Sequence, residues 1–165
     1  MDIFKIIYSW FYNIYSIHLY DYLKGDNCDG AFVGPDHFIT IGLVMIFISL
    51  FIAVVYYYVI NHPRFNRWWH WLIMLLINAI INLIVGFGYV YSKLYSGVIP
   101  ACFTHADIET TDEGYIYGVS GTERLTTGNC WQFGIANAIL AVLAFVLFSM
   151  IIKWWSRNSK RSPFL

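Results

Sequence analysis

The sequence predicts an all-α membrane protein with three transmembrane helices, and three observations carry that expectation. Charged residues make up only 12% of the chain, about half the share in an ordinary soluble domain. The stretches Phe38–Ile60, Trp71–Ser92 and Phe133–Ile152 contain no charge, and each has the roughly 20 residues that a helix needs to cross about 30 Å of hydrocarbon. The basic residues are also segregated. Six of the ten Lys and Arg residues fall in the connector (Arg64, Arg67) and the tail (Lys153, Arg157, Lys160, Arg161), two short segments without an acid.

Residues 1–36 read as an N-terminal amphipathic helix and a loop. Asp2, Lys5, Ser9, Asn13 and Ser16 recur at three- and four-residue spacing and so share one helix face. Ile3, Phe4, Ile6, Ile7, Trp10, Phe11, Ile14 and Ile17 cover most of the remainder. A polar stripe on an aromatic-rich helix suits the membrane interface. The rival is a fourth span, which Lys5, Asn13, His18 and Asp21 would make expensive to insert. No basic n-region with a cleavage site precedes it, so no signal peptide is expected to be removed. Residues 25–36, GDNCDGAFVGPD, are turn-rich.

Residues 37–94 are expected to form a transmembrane hairpin, with spans 38–60 and 71–92. Its connector, NHPRFNRWWH, is too short for anything but an antiparallel return. Pro63 ends the first helix, because proline lacks an amide donor. Trp68, Trp69 and Trp71 mark a headgroup level. Residues 95–132 form a polar excursion with two β-prone runs, Ile108–Thr111 and Tyr115–Val119. Asp112-Glu113-Gly114 lies between them as a hairpin turn. Residues 133–155 give the third span, and residues 156–165 a basic tail. The positive-inside rule places the connector and tail in the cytoplasm and the 95–132 loop outside.

Asn78, Asn82, Gly86 and Tyr89 lie on one face of the second span, and the third span offers a matching face with Gly134 and Asn137. Such a face either packs helices together, with amides bonding across the contact, or lines a water path in an oligomer. Packing is the preferred reading. No ionisable residue falls inside the three spans, which argues against ion-coupled transport. Cys28, Cys102 and Cys130 fall in segments expected outside, where disulfides form. Three pairings are possible, and Cys102–Cys130, which would close the loop, is favoured. His105, Asp107 and Glu109 alternate as on a strand, but without zinc-like spacing they read as a solvated face. The basic and histidine residues of the connector, His62, Arg64, Arg67 and His70, serve topology. No metal, cofactor, catalytic set or nucleic-acid partner is expected.

The segments NHPRFNRWWHWL, NAIINLIVGFGYVYS, FGIANAI and IKWWSRNSKRSPF, within residues 38–165, resemble small uncharacterised multipass membrane proteins of bacteria. The resemblance implies a bacterial inner membrane and no activity. The expectation is a non-enzymatic integral membrane subunit of a multi-protein or homo-oligomeric envelope assembly, such as a secretion-type complex. Its partners would be the lipid bilayer, further copies of the chain or other membrane-protein subunits. The rival is an oligomeric channel or pore-forming effector lined by Asn78 and Asn82.

Overall fold

The structure is a computed structural model that describes residues 3–26, 34–59, 68–104 and 125–155. It is helical, with no strand among the described residues. In chain order the helices are α1 (Ile3–Ser9), α2 (Tyr12–Tyr15), α3 (Ile17–Lys24), α4 (His37–Val54), α5 (Trp68–Tyr95), α6 (Ala101–Thr104) and α7 (Thr127–Trp155). Three of them are long and apolar enough to cross a membrane, with candidate spans His37–Tyr58, Trp69–Tyr95 and Thr127–Lys153. The loop runs expected to pair as a β-hairpin, Ile108–Thr111 and Tyr115–Val119, lie outside the described residues.

The starts of α4 and α7 follow from local capping. Asp36 Oδ1 accepts the Phe38 amide at 3.0 Å, which satisfies one of the donors a helix start leaves open. At α7, Asn129 Oδ1 accepts both the Thr126 amide and the Thr126 hydroxyl, each at 2.9 Å. Asn129 thus supplies one half of a capping box, the side chain that reaches back to the N-cap amide, with Asn in place of the usual Glu or Gln, while its own backbone N–H bonds the Thr126 carbonyl at 3.0 Å. This cap starts α7 at Thr127 rather than at Phe133, and so places Cys130 inside the helix.

Packing groups the chain into two compact units, residues 1–39 with 87–133 and residues 40–86 with 134–165. The first has an aromatic core in which Tyr8, Tyr15, Phe38 and Phe133 are fully buried. Tyr8 stacks on Phe38 at 5.0 Å and on Phe133 at 5.7 Å, and Tyr15 meets Phe133 edge-on at 5.2 Å. The Tyr15 hydroxyl donates to the Tyr8 carbonyl at 3.0 Å. Burial pushes both phenols well above their ordinary pKa, so they stay neutral. Lys5 reaches Asp36 at 2.9 Å, tying α1 to the residue that caps α4.

In the second unit Ile52, Ala53, Tyr56, Tyr57, Trp71 and Phe145 form an apolar cluster. Val55–Val59, which continues α4, is a π-helical turn. Within it Tyr56 and Tyr57 are both buried, their rings edge-on at 5.0 Å, while Tyr58 is exposed. The Trp71 indole donates to Ser149 Oγ at 3.3 Å.

The N-terminal segment corrects the sequence reading. It is neither one interfacial helix nor a fourth span: it is broken into helices of 7, 4 and 8 residues. The first break is a tightened turn in which Trp10 and Phe11 bond back to Ile7 and Tyr8. The second is Ser16, whose φ of 91° interrupts the helical ladder. Ser9, Asn13 and Ser16 are weak helix formers among aromatic and β-branched neighbours. The segment also has two apolar faces rather than one. Tyr8, Tyr15, Leu19, Tyr22 and Leu23 are buried, whereas Ile3, Trp10 and Ile17 are exposed.

A positive φ at a non-glycine residue costs about 1–3 kcal/mol. Ser16→Gly is therefore expected to leave stability unchanged or raise it by up to about 1 kcal/mol after glycine's own entropic cost. Ser16→Val should lower it by about 1 kcal/mol or more. Thermal unfolding of the detergent-solubilised protein measures both, and a destabilised glycine variant would contradict the backbone account.

Candidate functional site

Asn78, Asn82 and Asn137 are fully buried, and the second unit brings them together where α5 meets α7. The Asn78 amide donates to the Ala141 carbonyl at 2.9 Å. In the opposite direction, the Asn137 amide donates to the Asn82 carbonyl at 2.8 Å. Each helix thus sends one side-chain amide to a backbone carbonyl of the other. A helical carbonyl has a second lone pair beyond its own helix bond, so neither ladder is broken.

Asn82 has a different task. Its Nδ2 bonds within its own helix, to Asn78 O at 3.0 Å and Asn78 Oδ1 at 3.1 Å. Holding Asn78 Oδ1 turns the Asn78 amide nitrogen toward Ala141. The Oδ1 atom of Asn82 is buried without a hydrogen-bond partner, so this residue is the least satisfied of the three. Asn78 and Asn137 form the cross-helix bonds, and the Asn82 side chain orients one of them.

Gly86 explains how the helices come close enough. A Cβ there would lie 3.0 Å from Asn137 Cβ and 3.0 Å from Asn137 Nδ2. Only a residue without a side chain leaves room for that approach. Gly88 faces open space, with nothing within 4 Å of the corresponding position. Gly134 is buried on α7, as expected of a small-residue face.

Tyr89 leaves this group. In the first unit its hydroxyl shares a 2.8 Å hydrogen bond with His37 Nδ1. Tyr22 stacks on the His37 ring at 5.4 Å, and Lys93 Nζ lies 5.9 Å from the Tyr89 ring. The Lys5–Asp36 pair lies beside it in sequence. The sequence signal for it was Pro35-Asp36-His37 at the mouth of an apolar run, a helix-start pattern.

The expected Cys102–Cys130 disulfide is not formed. Cys130 is a buried free thiol, and its Sγ points at the Thr126 carbonyl at 3.8 Å. The crevice beside it, lined by Leu19, Val90, Leu94, Ile99, Leu125, Thr126 and Asn129, is too narrow for a water. The earlier start of α7 is the physical reason, because it moves Cys130 from a solvated loop into an apolar contact. Cys28 lies outside the described residues. So do the basic residues Arg64, Arg67, Arg157, Lys160 and Arg161, as well as His105, Asp107 and Glu109. Lys153 stands in the last turn of α7, where a cation favours the helix dipole.

The two glycines separate packing from propensity. Gly86→Ala is expected to push α5 off Asn137 and to lower stability by about 1–3 kcal/mol. Gly88→Ala should be neutral or stabilising by up to about 1 kcal/mol through helix propensity. Asn78→Ala should cost about 0.6–2 kcal/mol for the lost cross-helix bond. Unfolding titrations in mixed detergent micelles read all three, and equal responses from the two glycine variants would refute the close approach.

No protein-family model, no curated protein and no solved structure matches the chain, so the role of these clusters follows from their own chemistry.

Proposed function

We propose that the chain is a non-enzymatic integral membrane subunit of a multi-protein or homo-oligomeric assembly in a bacterial inner membrane. One observation carries the reading. The asparagines of α5 and α7 bond within one protomer, while the outward rows of the three long helices are large and apolar. Phe47 and Phe51 on α4, Ile80 and Ile84 on α5, and Leu143 and Leu147 on α7 are all exposed. In a bilayer such rows meet lipid or the apolar rows of another helix, where association depends on packing rather than on charge.

The orientation that fits this role follows the basic residues. Arg64 and Arg67 in the connector and Lys153, Arg157, Lys160 and Arg161 at the C-terminus favour a cytoplasmic side. Residues 95–132, with all five acids that follow the first span, would then be extracytoplasmic.

The pore reading needs Asn78 and Asn82 to face water. Their burial and their bonds to Ala141 O and Asn78 O weigh against it, because turning them to a water path would give up the bond that joins α5 to α7.

Cross-linking in native membranes, followed by native mass measurement of the purified material, tests the proposal. The expected species is heavier than one protomer, through further copies or a stoichiometric membrane partner. A lone protomer under every mild extraction would remove the basis for an assembly subunit. In vesicles of the purified protein, ion flux should equal that of empty vesicles. Flux that disappears in Asn82→Leu would establish the channel reading instead.

A further inference from the structure

Four aromatic rings form a continuous stack in the first unit. Trp131 of α7 lies on Phe87 at 4.4 Å with 27° between planes. Phe87 lies on Tyr91 at 5.3 Å and 23°, and Tyr91 on Tyr95 at 5.8 Å and 22°. Phe87, Tyr91 and Tyr95 follow at four-residue intervals, so they climb one face of α5. Burial does not account for the stack, since Trp131 is 49% exposed, Tyr91 37% and Tyr95 83%.

We infer that this ribbon is a lipid-headgroup contact that fixes the depth of α5 and α7 in one leaflet. The inference rests on the reading that these helices cross a bilayer. α5 has 28 residues and is about 42 Å long, roughly 12 Å more than the hydrocarbon needs. Its exposed stripe begins at Trp69, continues through Ile73, Ile77, Ile80 and Ile84, and ends at Tyr91 and Tyr95. From Trp69 to Tyr91 the helix rises about 33 Å, close to the separation of the two headgroup levels. On α7 the rise from Trp131 to Lys153 is also about 33 Å.

The chemistry of the stack selects lipid over a stacked sugar. A glycan packs on open ring faces, and here Phe87 and Tyr91 each stack on two neighbouring rings. The ribbon carries two phenol hydroxyls and one indole N–H that can donate to ester carbonyls and phosphates. Tyr and Trp concentrate at this level because one end is apolar and the other polar. Lys93, between Tyr91 and Tyr95 in sequence, adds a cation at the same height to match phosphate.

The test is the fluorescence difference between wild type and Trp131→Phe in phosphatidylcholine vesicles. The lipids carry bromine near the ester end or near the methyl end of the acyl chain, and alkaline flotation of the same samples reports integration. The Trp131 signal is expected to be quenched about twofold or more by the shallow bromines relative to the deep ones. In Tyr91→Ala/Tyr95→Ala that preference should fall while flotation is retained. Equal or deeper quenching, quenching by aqueous iodide alone, or shielding from both lipid and iodide by a protein partner would each overturn the inference in a protein that still floats. Failure of wild type to float would remove the spanning reading itself, and the ribbon's role with it.

Discussion

A primary amide inside an apolar helix pair has nowhere to send its hydrogens except to the carbonyls of the helices themselves. In water the cost of misplacing it is moderate; in hydrocarbon an unpartnered polar group costs several kcal/mol. The reciprocal bonds Asn78–Ala141 and Asn137–Asn82 meet that constraint. They also restrict how α5 and α7 can face each other, since sliding one helix along the other separates both amides from their acceptors. Gly86 opposite Asn137 supplies the close approach the bonds require. The amides specify register, and the glycine specifies distance.

Elsewhere aromatic rings do what amides do here. In the first unit Tyr8 lies against both Phe38 and Phe133, joining the N-terminal segment to the beginning of α4 and to α7. Ion pairing adds to this through Lys5 and Asp36. Asp36 has two functions, because its other oxygen caps α4. Removing it would leave a helix start uncapped and break the ion pair that ties α1 to it.

Much of the fold was legible because three apolar runs are longer than any soluble helix of that composition requires. The asparagine face was legible as well: Asn78, Asn82 and Gly86 sit at helical spacing, and FGIANAI carries Asn137. Helical spacing places Tyr89 on the same face, yet its partner is His37. Spacing shows which way a residue points but not which helix is opposite. The breaks at Trp10–Phe11 and at Ser16 carried no Gly or Pro signal, so an unbroken helix was the natural expectation. The missing disulfide has a similar origin. Thr126 caps α7 four residues before Cys130 through Asn129 rather than through a Glu or Gln, so the sequence alone places the cysteine in the loop.

The central claim is that the asparagine face is closed inside the protomer. Introducing cysteine at position 82, in a background with Cys28, Cys102 and Cys130 replaced by serine, tests it directly through labelling with a membrane-impermeant thiol reagent. The account predicts no labelling in intact or permeabilised membranes and full labelling after denaturation. Rapid labelling of the folded protein in membranes would show that water reaches this face and would contradict the account.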